Sequence, residues 1–316
     1  MGIRSIRQGE SYFDRFARTR DGGLSSPGAP SVSATGGTKF TSGSNTYHFF
    51  TSTSPAPFTL SSGSTINVLV VGGGGGSMAD GSGGGGAGGV AHAEDVPVSP
   101  GEFTVTAGDR GNNSPLTNGG DSTFVDPSGP VTIRATGGGY GKDSDQGNGG
   151  GSGGGGGQPN NNGGPGNQPT QNPGLPYVTN YGNNGGQGGP SDQGGGGGGS
   201  GGAGTAGGPG GLGGDGQPFS FMPGPQLYTD MPSPLQSTLG TGWRDALGSD
   251  GNIAGGGGGG GPSSPGAGGS GGGGNGSNSA QPGVDYTGGG GGGGPSSPNQ
   301  PGKPGGRGLV VVYYPT

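Results

Sequence analysis

Seven glycine runs, set between short segments of alternating apolar residues, predict a mainly β and irregular protein. It is a small antiparallel β-sandwich-like region joined to a slab of stacked polyglycine II helices, with essentially no α-helix. The runs are 72–76, 83–89, 149–157, 194–199, 255–261, 268–274 and 288–294, the second broken by one Ala and the third and sixth by one Ser. Glycine loses more backbone freedom on ordering than any other residue and has no side chain to bury, so runs this pure stay disordered unless something other than a hydrophobic core holds them. The ordered alternative is a lattice of backbones. In the polyproline II conformation glycine has three residues per turn and no internal hydrogen bonds, so its N–H and C=O groups point outward to neighbouring chains. A seven-residue run spans roughly 22 Å at ~3.1 Å per residue, one rod of a thin slab.

Composition supports the slab and excludes much else. Of 316 residues, only 22% are hydrophobic and 9% charged, against 97 Gly and 29 Pro, so a large side-chain core is excluded. Glycine is close to the collagen fraction but does not recur at every third place, and a collagen triple helix fails on period. The net charge is −6. Residues 1–23 carry Arg4, Arg7, Arg15, Arg18 and Arg20 against Glu10, Asp14 and Asp21, which leaves 7 basic and 15 acidic groups elsewhere. That acidic body lacks the positive footprint of a nucleic-acid binder. Cysteine is absent, so neither disulfides nor a cysteine-ligated metal is expected. No apolar h-region opens the chain and no run of 18 apolar residues occurs, so neither a Sec signal nor membrane insertion is expected; Ile6 breaks the myristoylation pattern.

Taken in order, residues 1–23 interleave Ile3, Ile6, Tyr12, Phe13 and Phe16 with arginines such as Arg15. This segment is either a frayed terminus or a docking peptide that orders on a partner. Residues 24–37 read as a linker. Residues 38–135 form the β region. Phe40, Tyr47 and Phe49 flank a hairpin turn at 43–45, and Phe58 and Leu60 make an alternating pair. The strand "TINVLVV" is apolar on both faces over 68–71 and runs straight into the first rod. "VPVSPGEFTVTAG" reads as a second hairpin, with Val96, Val98, Phe103 and Val105 about an "SPGE" turn; two further strands are expected at 122–125 and 131–135. Residues 136–306 are the slab, with almost nothing to form a hydrophobic core, rods finished by prolines such as Pro190, Pro262 and Pro295, and variable loops between rods. Residues 307–316 close the chain with a strand, 309–314, apolar on both faces, whose natural partner is 68–71.

Catalytic patterns mostly fail. Only His48 and His92 are available, and His48 sits between aromatics in a strand, a structural setting. Matches to GxGxxG occur by accident in a chain this rich in glycine. "GGGYGKDS" departs from a phosphate loop at Thr136 and Asp143, and the loop acids Asp143, Asp145 and Asp192 lack EF-hand spacing. No enzyme activity, cofactor or metal is expected.

"INVLVVGGGGG", "GGGGAGGV", "VPVSPGEFTVTAG", "GGDSTF", "IAGGGGGGG" and "GGRGLVVVYY", in that order, resemble the glycine-rich domain of tailed-phage tail fibres and tail-tip adhesins, also found in marine bacterial and cyanophage proteins. The resemblance covers about 38–316. It implies stacked polyglycine II rods whose loops touch a host receptor. The spacer 217–252 holds Phe219, Phe221, Tyr228 and Trp243, aromatics suited to stack on a saccharide or to meet an outer-membrane loop, if they do not instead fold back on the slab or pack between subunits. Tyr177 and Tyr181 in spacer 158–193 are the second candidates.

The expectation is therefore a virion protein, assembled in the host cytoplasm and exposed on the particle. It docks to other virion proteins through 1–23, binds a host surface saccharide or outer-membrane protein through its loops, and forms a homo-oligomer such as a trimer, without nucleic acid. A purely architectural virion protein, such as a capsid decoration or head fibre, and an ice-binding protein are the alternatives.

Overall fold

The apolar segments form strands in two antiparallel sheets, in a computed structural model that describes residues 31–79, 81–127, 129, 131–208, 210–261, 266–276, 279–295 and 301–316. The expected docking residues Ile3, Ile6, Tyr12, Phe13, Arg15 and Phe16, and the rod-ending Pro262, lie outside the described residues. The strands are β1 (Ser33–Thr35), β2 (Thr38–Ser42), β3 (Asn45–Phe50), β4 (Ala56–Ser62), β5 (Thr65–Val71), β6 (Val90–Pro97), β7 (Gly101–Thr106), β8 (Ser122–Val125), β9 (Thr132–Ala135), β10 (Val178–Tyr181) and β11 (Leu309–Pro315). One sheet has the order β1-β4-β7-β8-β9 and the other β10-β6-β5-β11-β3-β2. The closing strand finds its expected partner, with Leu309 opposite Val71 and Val312 opposite Val68.

Two expectations about the β region are corrected. Residues 33–35, read as linker, form an edge strand on β4. The "SPGE" turn does not close a hairpin: β6 pairs with β5 and β10, whereas β7 pairs with β4 and β8, so the turn carries the chain from one sheet to the other. Alternation alone marks both segments as strands but cannot say which sheet each joins.

The double-sided burial of β5 and β11 follows from three layers. Val68, Val70, Val310 and Val312 face the first sheet, in a core with Phe58, Phe103, Phe124 and Ile133. Leu69, Val71, Leu309 and Val311 face the opposite way, onto residues from the 217–252 insertion. That insertion folds into two short helices, α1 (Gly224–Asp230) and α2 (Ser233–Leu247), each with proline in its first turn, where the missing N–H costs nothing. In α2, Leu235, Leu239, Trp243 and Leu247 recur every fourth residue and are buried as one stripe.

Beyond the sheets the chain becomes a lattice. Along 72–76 successive N–H groups donate to three different neighbours in rotation: Gly72 and Gly75 to Gly89 and Gly86, Gly73 and Gly76 to Gly120 and Thr117, and Gly74 to Gly306. The run 83–89 repeats the pattern toward 136–142, 195–198 and 288–291, and 255–260 repeats it again. This three-residue rotation is the signature of polyglycine II packing. Side chains have no room here: a methyl group on Gly85, Gly257 or Gly290 would fall inside contact distance of the carbonyl oxygen of Gly75, Gly291 or Gly85.

Strand register is inherited by the rods. Val71 opposite Val90 in the sheet becomes Gly72 N–H to Gly89 O and Gly75 N–H to Gly86 O in the slab. Leu309 opposite Val71 becomes Gly74 N–H to Gly306 O and Ser77 N–H to Lys303 O. The serine-interrupted runs are each two rods, not one. The chain reverses at Ser152, as it does at Ser270, so that Gly273 N–H returns to Gly269 O and Gly276 N–H to Gly266 O. Ser200 marks a third reversal, where its hydroxyl donates to Ile253 O at 2.7 Å and Gly199 N–H bonds Gly202 O.

Candidate functional site

Chain direction gives the molecule two unlike poles. Strands β5, β7, β9 and β10 run toward the slab and β6, β8 and β11 return from it, so the turns at 63–64 and 98–100 lie at the sheet pole. Ser31 and Thr316 lie at the same pole, both lining one cavity there with Lys39, Thr46, Thr65 and Tyr314. Rods leaving the sheet end in loops at the opposite pole: 77–79 with 81–82, 113–116, 143–146, 158–160 and 190–193 among those described.

These loops are tied into one surface. Asn113 Nδ2 donates to Gly302 O at 2.8 Å, Gln187 Nε2 to Asn160 O at 2.7 Å, and Asp192 N–H to Gln158 Oε1 at 2.7 Å. Asp145 O accepts from Gly157 N–H at 3.0 Å. Ser114, Pro115, Ser144, Asp145, Gln146, Pro159, Asn160, Pro190 and Ser191 are exposed, which gives a surface of serine and proline with single Asp, Gln and Asn side chains. Lys142 Nζ donates to Asp145 Oδ2 at 2.8 Å. That bond, with a second from the Gln146 N–H, holds the Asp145 carboxyl below its ordinary range and raises Lys142. Among the described residues no three His, Asp or Glu converge on a point that could hold a metal ion.

The aromatic candidates lie at the sheet end, and two of them are core. Trp243 is fully buried, its ring edge-on to Phe49 at 6.0 Å and its Nε1 donating to Tyr286 O at 3.1 Å. Phe219 is buried against His92, Tyr181 and Phe221. The reading of Phe219 and Trp243 as exposed receptor contacts is therefore corrected: the β10-β6-β5-β11-β3-β2 sheet has an apolar outer face, and the insertion covers it. Phe221 is partly buried, stacked on Tyr313 at 4.3 Å, with its carbonyl accepting from Tyr47 Oη at 2.8 Å. Tyr228 is half-buried with the Arg244 guanidinium 5.7 Å from its ring centre. Tyr181 and Tyr177 are half-buried on and beside the edge strand β10. The expectation that 136–306 contributes almost nothing to a core fails chiefly at this insertion, with Ile253, Ala254 and Tyr286 joining the same core. The four-residue spacing of Leu235, Leu239, Trp243 and Leu247 was the sequence signal for it.

Both histidines are buried parts of the sheets. His48 Nδ1 bonds Gly36 O at 2.7 Å and Nε2 bonds Tyr314 Oη at 2.9 Å; His92 Nε2 bonds Tyr313 Oη at 2.8 Å. Burial pushes both imidazoles below their ordinary range, opposed at His48 by the Gly36 carbonyl and at His92 by Glu94, and pushes the Tyr313 hydroxyl upward. No helix among the described residues is long and apolar enough to cross a membrane.

The sequence model of a family described as a glycine-rich domain matches residues 50–315. No curated protein matches the chain.

Proposed function

The chain belongs to the glycine-rich domain family, and from that premise we propose that it is a virion component of a tailed phage, a tail-fibre or tail-tip adhesin that holds the particle at its sheet pole and meets the host cell surface with its loop pole. The observation that carries this reading is the separation of the two ends. Ser31 and Thr316 sit together with the strand turns at one pole, and the loops, free of the packing demands of the rods, gather at the other. A rod lattice between them is stiff because each interior backbone is bonded to neighbours on all sides, and it is thin because no side chain separates the rods.

The chemistry of the loop pole favours a hydroxyl-rich or amide-rich partner. Its exposed Asn160, Gln146 and serine side chains can donate and accept and the Asp145 carboxylate can accept, the groups that recognition of a surface saccharide uses. Loops of an outer-membrane protein would meet the same groups. The aromatic insertion serves the fold, so the contact residues are sought at 143–146, 158–160 and 190–193.

The test is binding of the fluorescently labelled full chain to candidate host cells, beside a variant in which those three loops carry Gly-Ser sequences of equal length. Labelling by the full chain and loss of labelling in the variant is the expected result. Equal labelling by both would move the site off the loop pole. Absence of labelling by both, with each still folded, would replace the adhesin reading with an architectural role on the particle.

A further inference from the structure

Five Asn-Gly steps occur in the chain, at Asn118, Asn148, Asn162, Asn184 and Asn275, and the lattice leaves one of them unlike the rest. An asparagine followed by glycine is the step at which the next backbone nitrogen most easily reaches the side-chain amide, since glycine offers no Cβ to obstruct it. In four steps that approach is blocked by bonds that hold one or both reacting groups. Gly119, Gly185 and Gly276 spend their N–H groups on Gly138 O, Gly164 O and Gly266 O, each at 3.0 Å. Asn148 Nδ2 donates to Asn118 Oδ1 at 2.9 Å, and Asn118 Nδ2 donates to Gly149 O at 3.1 Å, so the fourth step is clamped through its side chain. The Asn184 and Asn275 side-chain oxygens accept from Gly166 N–H and Gly268 N–H, both at 2.8 Å.

Asn162 stands apart. Its side chain is exposed, and among the described residues neither that side chain nor the Gly163 N–H has a hydrogen-bond partner. Its backbone remains in the lattice: Asn162 O accepts from Gly147 N–H at 3.0 Å, and Asn161 O from Gly188 N–H at 2.8 Å.

We propose that Asn162 is a site of spontaneous deamidation in the folded protein. The Gly163 nitrogen gives up its proton and attacks the Asn162 side-chain amide carbon. The new C–N bond closes a five-membered succinimide, the C–NH2 bond breaks, and ammonia leaves with the proton. Water then opens one of the two ring C–N bonds, giving aspartate or isoaspartate. No oxidant or cofactor enters the balance. The product adds one negative charge on an outer rod two residues from loop 158–160, and the isoaspartate branch lengthens that rod's backbone by one methylene. This inference does not rest on the adhesin reading.

The test holds the full chain folded in mildly alkaline buffer, samples it over time, and maps amide-to-acid conversion and isoaspartate by mass spectrometry. A parallel sample is kept in denaturant, and an Asn162→Ser variant is run beside both. In the folded chain Asn162 converts at least about tenfold faster than the other four steps, because their reaction waits on local opening of the lattice. In denaturant all five convert at similar rates, and the variant shows no conversion at this position. Equal rates at the five steps in the folded chain would overturn the proposal. So would an Asn162 that stays intact while the denatured sample converts.

Discussion

Replacing one interior glycine by alanine tests the lattice most directly, and Gly257 is the best placed. Its N–H donates to Gly85 O at 2.9 Å and its carbonyl accepts from Gly197 N–H at 2.8 Å. In Gly257→Ala the new methyl meets the Gly291 carbonyl oxygen, which belongs to backbone and has no flexible end to swing aside. That carbonyl in turn accepts from Gly85 N–H at 2.8 Å, while Gly291 N–H donates to Gly75 O at 3.1 Å. Relieving the clash moves one rod away from the others and breaks or lengthens bonds among four of them. If two buried groups lose their partners, at about 1–3 kcal/mol each, the gross cost is about 2–6 kcal/mol. Restricting the unfolded chain returns about 0.4–1 kcal/mol, which leaves a net loss of about 1–5.5 kcal/mol. The control is Gly242→Ala, at an exposed position of α2 where the added Cβ meets only Val284 Cγ1 at 3.9 Å. Helix propensity makes that change stabilising by up to about 1 kcal/mol. Guanidinium denaturation followed by Trp243 fluorescence reads both. An unchanged midpoint for Gly257→Ala, or equal shifts in the two variants, would refute backbone packing as what holds the slab.

Two further outcomes follow from the sheet end. Trp243→Ala empties the centre of the layer between the insertion and the second sheet and costs about 3–5 kcal/mol, read as a lower denaturation midpoint; a loss under 1 kcal/mol would mean that the insertion does not support the fold. For the histidines, burial holds His48 and His92 below the ~6.5 of an unfolded chain, so between that value and their lowered native pKa the unfolded state binds more protons. Stability is therefore full above about pH 6.5 and declines as pH falls through that window. Denaturation midpoints measured from neutral to mildly acidic pH should fall, with a shallower slope in His92→Gln; a midpoint that rises on acidification would contradict the assignment.

Much of this architecture was legible because glycine and valine report so directly on their surroundings. The run 68–71 followed at once by glycine requires a strand buried on both faces that continues into a rod, and 309–314 asks for the same in reverse; each supplies the other. What was not legible depends on three-dimensional choice. "VPVSPGEFTVTAG" alternates correctly on both sides of its turn, yet its halves join different sheets, a decision made by β5 and β4 and not by the turn. The insertion was readable as apolar but not as helical, because Pro225, Pro232 and Pro234 crowd the approach to the stripe and Gly240, at φ 74°, interrupts it. For the same reason Trp243 and Phe219 looked like exposed contacts: the sequence showed aromatics in a polar spacer, not the apolar sheet face they cover. Ser152 and Ser270 read as blemishes in long rods, whereas each marks a reversal.

The rotation of hydrogen bonds along each rod also governs which changes of length the protein tolerates. One residue added within 72–76 would turn every later donor by about 120°, sending bonds meant for the 83–89 rod toward the wrong neighbour, while three added residues would restore the phase and lengthen the rod by one turn. Between rods no such arithmetic applies, since a loop has no phase to keep. Insertions and deletions should therefore accumulate freely at the loop pole and appear inside rods only in threes, a grammar that lets one end of the molecule diversify while the lattice behind it stays fixed.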